Sequence, residues 1–473
     1  MNATVNPKPQ LDLASWQFQV SKLGCLTADV SEIEFKPLTL VCGQNNTGKT
    51  WVLYALYGFL ADTGMYKLPG IDDLSNELLS KGQRVWDFGA WLTENCSKII
   101  KAINSDTRRR LPSIFNSSPD FFKEANFAWK VAPQQLIDRG IAREMDFRLA
   151  LGRERNEIFR LVKPANEIIA NLVISSDSFP DINAILSDAI VRHLIGNPSN
   201  RNVFLMPAER NGLHLFYREL ASRRTALLHH ATKKDKDIDI IQLIQDVARS
   251  RYPQPIADYI DWLNALPDIR KKRSGIYHEL AEELKKIIGG RYDIDSEGEI
   301  SFTPYKARRG DKETSPRLEF HLSSSTAKSL FGLWAYLEYS AEPGDALMID
   351  EPELNLHPSN QRKLARLLAK LANHGLRVII STHSDYIVRE IDSMIMLSKQ
   401  NEIQSALMKR FGYSEDEILS PDKVAAWLFS NQTISAMPID AEEGINASTF
   451  DEQIHDLNET SDAIFYAYRD GEI

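Results

Sequence analysis

Four short stretches of this sequence hold residues whose types and spacing could do chemistry. The first is GQNNTGKT, residues 43–50, which follows the apolar run LTLVC and precedes WVLYALYGFL. Its glycines, Gly43 and Gly48, let the chain turn so that successive backbone N–H groups point inward, with Asn45, Asn46 and Thr47 completing the loop. The N-terminus of the following helix adds partial positive charge, so the loop suits the phosphates of a nucleoside triphosphate. Lys49 can reach the β- and γ-phosphates, and the Thr50 hydroxyl can ligate Mg²⁺.

The second stretch is ALMIDEPELNLHP, residues 346–358, an apolar run ending in two carboxylates. Asp350 at the strand end can hold the Mg²⁺ shell, and Glu351 is placed to polarise or deprotonate an attacking water. The third, IISTHSDYI (379–387), ends another apolar run at His383, 32 residues beyond Glu351, where it could sense the γ-phosphate. The fourth, LSSSTAKSL (322–330), puts a serine-rich turn around Ser324 before a helix. Taken alone it reads as a helix cap; it also offers hydroxyls and a helix N-terminus to a phosphate.

These residues need strands and helices to position them. WQFQVSKLG and ADVSEIEF within 15–35 read as two strands, LTLVC (38–42) as a short buried strand, and Thr50 to Leu60 as a helix. Residues 70–125 look helical and loop-like, and 145–164 reads as a hairpin. A helix over 181–196 leads into the strand VFLM (203–206). Helical periodicity dominates 211–288, as in DIIQLIQDVARS and IYHELAEELKKII. Gly289 and Gly290 stop it before the hairpin YDIDSEGEISFTPY. LEFHL (318–322) opens a second strand-and-helix region, in which ALMID and LRVIIST read as parallel strands of an α/β sheet.

The sequence thus predicts a split core. Residues 1–70 carry one half with the phosphate loop, and 71–210 form a helical and β-hairpin insertion ending in a core strand. Residues 211–315 form a mainly helical insertion, 316–400 the second half of the core, and 401–473 an acidic helical tail.

Composition bounds the function classes. With 473 residues, 43% hydrophobic and 26% charged, the chain has an ordinary globular make-up and no apolar run long enough to span a bilayer. Three scattered cysteines, Cys25, Cys42 and Cys96, form no CxxC pair and fit a reducing cytoplasm. The net charge of −9 sits in the tail, where 401–473 holds 15 acidic against 4 basic residues. Residues 201–312 are modestly basic, with clusters RKKR (270–273) and KARRG (306–310), and RRR lies at 108–110. Such runs permit DNA contact, although solvated helix ends and loops are their commoner role.

In this order the four elements resemble the ATP-binding cassette ATPases, within the branch of SMC, RecF and OLD-type proteins. Gly43, Asn45, Gly48, Lys49 and Thr50 match the cassette's Gly-x-Asn-x-x-Gly-Lys-Ser/Thr loop. The signature is matched loosely: alignment on Lys328, Ser329 and Leu330 puts Ser324 at the signature serine, with Ser325 and Thr326 where two glycines are usual. DEPELNLHP and STHSD are closer to OLD-like ATPases than to transporter subunits. Met206-Pro207-Ala208-Glu209-Arg210 is similar to a Pro-Ala-Glu-Arg element of this branch, in which Arg210 faces phosphate or an interface, or makes a structural ion pair.

The resemblance implies an α/β fold with an ABC-type P-loop NTPase core, an antiparallel β subdomain and a helical insertion. It further implies ATP and Mg²⁺ sandwiched between two protomers of a dimer or higher oligomer. About 75 residues follow Ser398, too few for a Toprim nuclease domain, and no HNH-type His/Asn/Cys pattern is present. That architecture is similar to the stand-alone ATPase subunits of Septu and retron-associated anti-phage systems, which act with a separate HNH nuclease. The alternative is an ATP-clamped DNA-binding protein of the RecF or SMC kind.

Overall fold

The computed structural model of the chain describes residues 15–469 apart from 62–65, 152–155, 176–180, 197–201, 221–251, 273–274, 306–315, 400, 447–458 and 467–468. The strands are β1 (Trp16–Ser21), β2 (Ser31–Phe35), β3 (Leu38–Gly43), β4 (Gln83–Asp87), β5 (Asn126–Lys130), β6 (Met145–Leu151), β7 (Asn156–Lys163), β8 (Ile169–Ile174), β9 (Val203–Met206), β10 (Gly290–Ile294), β11 (Ile300–Pro304), β12 (Leu318–Glu319), β13 (Ala346–Asp350), β14 (Arg377–Thr382), β15 (Val424–Ser430) and β16 (Thr433–Ala436).

The central sheet runs β16-β15-β3-β14-β13-β9. All of its pairings are parallel except that of β16 with β15. β3, β13 and β14 are buried at every position, as strands covered by helices on both faces must be. Their side chains alternate between two cores. Leu38, Leu40, Cys42, Leu347, Ile349, Val378 and Ile380 enter one hydrophobic cluster; Val41, Ala346, Met348, Ile379 and Phe429 enter the other.

The second cluster is covered by the helix Lys49–Ala61, which is buried around most of its circumference, and by the long helix Phe88–Ile114. Gly58 is where the two approach: a Cβ there would lie 2.3 Å from Ile114 Cδ1. The first cluster is covered by the helices Ser325–Tyr339, Pro358–Asn373, Asp385–Met396 and His278–Ile288. Small antiparallel sheets flank the core, β2-β1-β5, β4-β8-β7-β6 and β10-β11-β12. The chain is therefore α/β, with a mainly parallel central sheet covered by helices and with antiparallel β additions. Among the described residues no helix is long and apolar enough to cross a membrane.

The register sets up the site. β14 lies between β3 and β13, with Cys42 opposite Thr382 and Asp350 opposite Ser381. The carboxyl ends of β3, β14 and β13 thus reach one edge together, the place where open α/β sheets bind ligands.

Three expectations need correction. Residues 401–473 are more than an acidic helical tail, because β15 pairs with β3 in the middle of the central sheet and β16 forms its edge. The run VAAWLFS supplies Val424 and Phe429 to the cores, burial that composition averaged over an acidic segment conceals. Within 70–125, Gln83–Asp87 is a strand held by β8, despite its polar sequence. LEFHL contributes only two strand residues before turning into a short 3₁₀ segment. The DIIQLIQDVARS helix, Arg273, and Arg308 and Arg309 of the KARRG cluster lie outside the described residues.

Phe429 is fully buried beneath the phosphate loop, and its backbone oxygen packs against Gly43. Phe429→Ala is expected to cost about 3–5 kcal/mol of stability, as large-to-small changes in a packed core do. Chemical denaturation of the variant beside the unaltered chain measures this; a loss under about 1 kcal/mol would mean β15 is not part of the core.

Candidate functional site

The phosphate loop joins the end of β3 directly to the helix Lys49–Ala61. Gly43 has φ 142°, and a Cβ there would stand 2.2 Å from the Phe429 carbonyl oxygen, so β15 can pack against the loop only over glycine. Gly48 has φ 103° and Asn46 φ 63°, the left-handed conformations that let the loop curl around its own amides. Gln44, Asn45 and Asn46 are exposed, whereas Gly48 and Lys49 are buried. Lys49 Nζ donates to the Gly43 and Gln44 carbonyls at 2.8 and 2.6 Å, and Thr47 Oγ1 to the Gln44 carbonyl at 2.8 Å. Burial pushes the Lys49 ammonium below its ordinary pKa, against the opposing pull of Glu351, Asp350 and Glu353.

The loop meets the end of β13. Thr50 Oγ1 donates to Asp350 Oδ2 at 2.9 Å across 300 positions of sequence. Asp350 is 2% exposed, and its other oxygen accepts from the Ser381 hydroxyl on β14. Glu351 is the first residue past the strand and adopts φ 53°, costing about 1–3 kcal/mol for a residue other than glycine. Its amide donates to the Ser381 carbonyl and hydroxyl, both at 3.1 Å.

His383, just beyond β14, places Nε2 3.2 Å from Glu351 Oε1 and 3.9 Å from Glu353 Oε1. Its amide donates to Glu353 Oε1 at 2.8 Å. Glu353 Oε2 and His383 Nδ1 are buried without a partner, as in a polar cluster shaped to receive more polar atoms than the chain supplies. A strand-to-helix loop with left-handed backbone at Asn46 and Gly48, a buried lysine, and a hydroxyl beside a carboxylate together fit a nucleoside triphosphate with its divalent cation.

The structure therefore brings Gly43 to Thr50, Asp350, Glu351 and His383 into one site. Ser324 makes no hydrogen bond to these residues among those described; it is the N-cap of the helix Ser325–Tyr339, accepting from the Ala327 amide at 3.1 Å. The turn is exposed at Ser324 and Ser325, and Leu322 beside it is 63% exposed.

Sequence reasoning missed Ser381 and Glu353. Ser381 stands at the end of an apolar strand one position before Thr382, and Glu353 lies inside the acidic turn; either would be found by asking what holds a buried carboxylate. Among the described residues Arg210 pairs with no carboxylate and reaches backbone carbonyls instead. The run Arg108 to Arg110 is structural: Arg109 and Arg110 pair with Asp106, Arg110 donates to the Gly58 carbonyl, and Arg108 to that of Lys123. Arg270 donates to the Ile294 carbonyl, and Lys271 pairs with Asp268 at 2.7 Å.

A family model described as an AAA domain of AbiEii toxins and type IV toxin–antitoxin systems matches residues 180–389. That span runs from the helix before β9 through Asp350, Glu351 and His383, and leaves the phosphate loop outside it. No curated protein matches the chain. Among solved structures, the chain is similar to the Pyrococcus furiosus Smc head domain with an extended coiled coil, bound to the C-terminal domain of ScpA. That match is 13% identical, covers 95% of this chain and 100% of the other, and has a TM-score of 0.36. The Thermotoga maritima SMC head domain matches at 12% identity over 90% and 100%, with a TM-score of 0.33. An Smc head bound to the C-winged helix domain of ScpA matches at 13% over 89% and 95%, with a TM-score of 0.36.

Ser381→Ala removes the hydroxyl that orients Asp350 and supports the Glu351 amide. A lost hydrogen bond to a buried carboxylate costs about 1–3 kcal/mol, so the Mg²⁺-dependent gain in ATP affinity should fall roughly 10-fold. Calorimetric titration of ATP with and without Mg²⁺ reads this; an unchanged gain would remove Ser381 from the metal side of the site.

Proposed function

We propose that this chain is an ATP-binding and ATP-hydrolysing subunit of the ABC/SMC type, in the OLD-like branch. The contact of Thr50 Oγ1 with Asp350 Oδ2 at 2.9 Å carries the reading, because it joins phosphate loop and acidic strand end as this chemistry requires. Thr50 and Asp350 would hold Mg²⁺, which when bound neutralises phosphate charge. Gly43 to Lys49 hold the triphosphate, with amides on its oxygens and Lys49 leaving its own loop carbonyls for the β- and γ-phosphates. Glu351 accepts the proton of the attacking water, and His383 Nε2, 3.2 Å away, holds that carboxylate in place and faces the γ-phosphate.

The subunit works as a dimer or higher oligomer in which each exposed signature turn, capped by Ser324, completes the ATP site of another copy. Solvent exposure of Ser324, Ser325 and Leu322 supports this. At the system level it regulates a separate HNH-type nuclease in anti-phage defence, in the manner of the PtuA subunit of Septu. Support comes from the architecture, and from a matching family model whose description names a type IV toxin–antitoxin system. The second reading is an ATP-clamped DNA-binding repair protein of RecF or SMC type. The modestly basic 201–312 segment favours it, and a steep fall of DNA affinity with salt would mark it.

Glu351→Gln is expected to lower turnover by about 10²–10⁴-fold while keeping ATP bound and the oligomer closed. Phosphate release and native mass spectrometry, on chain expressed with its flanking genes, read both. Unchanged hydrolysis would remove Glu351 from the mechanism. A stoichiometric nuclease in the spectrum supports the regulatory role, and a bare homo-oligomer with salt-sensitive DNA binding supports the clamp.

A further inference from the structure

Arg210 is among the largest fully buried side chains of the described residues, at 1% exposed, and among those residues its guanidinium bonds to backbone carbonyls and the Ser329 hydroxyl rather than to a carboxylate. A guanidinium presents five N–H donors in a rigid planar fork. Here that fork is spent on backbone. Nη1 donates to the Asp350 carbonyl at 2.7 Å and to the Pro207 carbonyl at 3.2 Å, and Nη2 donates to the Glu351 carbonyl at 2.6 Å. Nε donates to the Ser329 carbonyl and hydroxyl oxygens, each at 3.2 Å.

Two of those four partners are the consecutive residues at which β13 turns, one of them Glu351 in its left-handed conformation. Ser329 lies in the helix that the serine-rich turn begins. Ser329 in turn donates to the Leu354 carbonyl at 3.0 Å, and Thr326 to the Asn355 carbonyl at 3.1 Å. One buried cation thus ties the catalytic turn 350–355 to the first turns of the helix Ser325–Tyr339.

Arg210 also begins a helix over 210–220 that extends into the insertion. One turn on, His214 contacts the Lys328 carbonyl through Nδ1 at 2.8 Å and the Tyr259 hydroxyl through Nε2 at 2.6 Å. Further along, Tyr217 and Arg218 donate to the Gly298 and Glu297 carbonyls at the β10–β11 turn. The described turns of this helix are held at Arg210, His214, Tyr217 and Arg218, so a displacement of the β10–β11 turn or of the signature turn is felt at Arg210.

We infer that Arg210 is a positioning residue: it holds Glu351 in its strained, water-facing conformation, and it couples that conformation to the signature helix and the insertion of the same chain. This rests on the reading of Glu351 as the group that activates water. The strain at Glu351 supplies the reason for so many bonds, since a left-handed non-glycine residue persists only where its surroundings over-determine it. Arginine suits this position better than lysine because its donors leave a rigid planar fork at separate atoms, Nη1 for Asp350 and Pro207, Nη2 for Glu351 and Nε for Ser329, whereas the donors of an ammonium diverge from one atom.

The test uses the full chain and three variants, Arg210→Lys, Arg210→Ala and Arg210→Ala combined with Glu351→Gln. With Mg-ATP, both single variants should bind ATP within about threefold of the unaltered chain, while kcat falls about 10²-fold, as misplacement of a reacting group by roughly 1 Å does. Adding Arg210→Ala to Glu351→Gln should cost nothing further, since both act through one carboxylate. Hydrogen exchange without nucleotide should show faster exchange at 351–356 and 325–329 together in Arg210→Lys. That measurement is independent of activity and serves if Arg210→Ala fails to fold.

A kcat within twofold of the unaltered chain, an additive double variant, or exchange that rises in one segment alone would overturn the inference. If the unaltered chain hydrolyses no ATP, the reading of Glu351 fails first. A loss of ATP affinity equal to the loss of kcat would mean Arg210 supports the fold of the whole site and does not position Glu351.

Discussion

The contact between the Thr50 hydroxyl and the Asp350 carboxylate sets the requirement that the rest of the structure meets. The two residues are 300 positions apart: Asp350 ends a parallel strand, and Thr50 lies in the first turn of the helix that follows another. They meet because β14 lies between β3 and β13 with all three ending at one edge, and because Ser381 on that middle strand takes the other Asp350 oxygen. A slip of one residue in β13 would turn the carboxylate toward an apolar core, since successive side chains of that strand face opposite clusters.

The second constraint is electrostatic. Asp350, Glu351 and Glu353 converge within reach of two buried cations, Lys49 and Arg210, and the two serve differently. Lys49 rests on the carbonyls of its own loop, bonds that a single flexible ammonium can exchange for others. Arg210 is fixed by backbone carbonyls on three sides and is built to stay. One cation is thus poised for a ligand, while the other shapes the protein around it. Glycine is required in the same spirit at Gly43, where the phosphate loop and β15 approach too closely for any side chain.

Much of this was legible from spacing. GQNNTGKT between an apolar run and a helix, DEP ending a second run and His383 ending a third each announced a strand-end loop, and the structure gathers them. The serine-rich turn stayed ambiguous, because capping a helix and presenting hydroxyls use the same atoms of Ser324. The acidic C-terminal segment misled: its composition hid β15, whose place beside β3 depends on a pairing across the sequence that no local signal encodes. Arg210 was visible as a residue but not in its role, since backbone carbonyls as partners leave no trace in side-chain chemistry.

The sequence by itself determined which residues could bind phosphate, metal and proton, because donor type, glycine freedom and the switch from strand to helix are local properties. Tertiary structure decided which of them share a site, that residues 424–436 return to complete the sheet, and that a strained glutamate is held by an arginine from another element. Those are matters of long-range register and of a buried cation seeking acceptors. They exist only once the sheet has closed water out and left each polar group the partners that packing supplies.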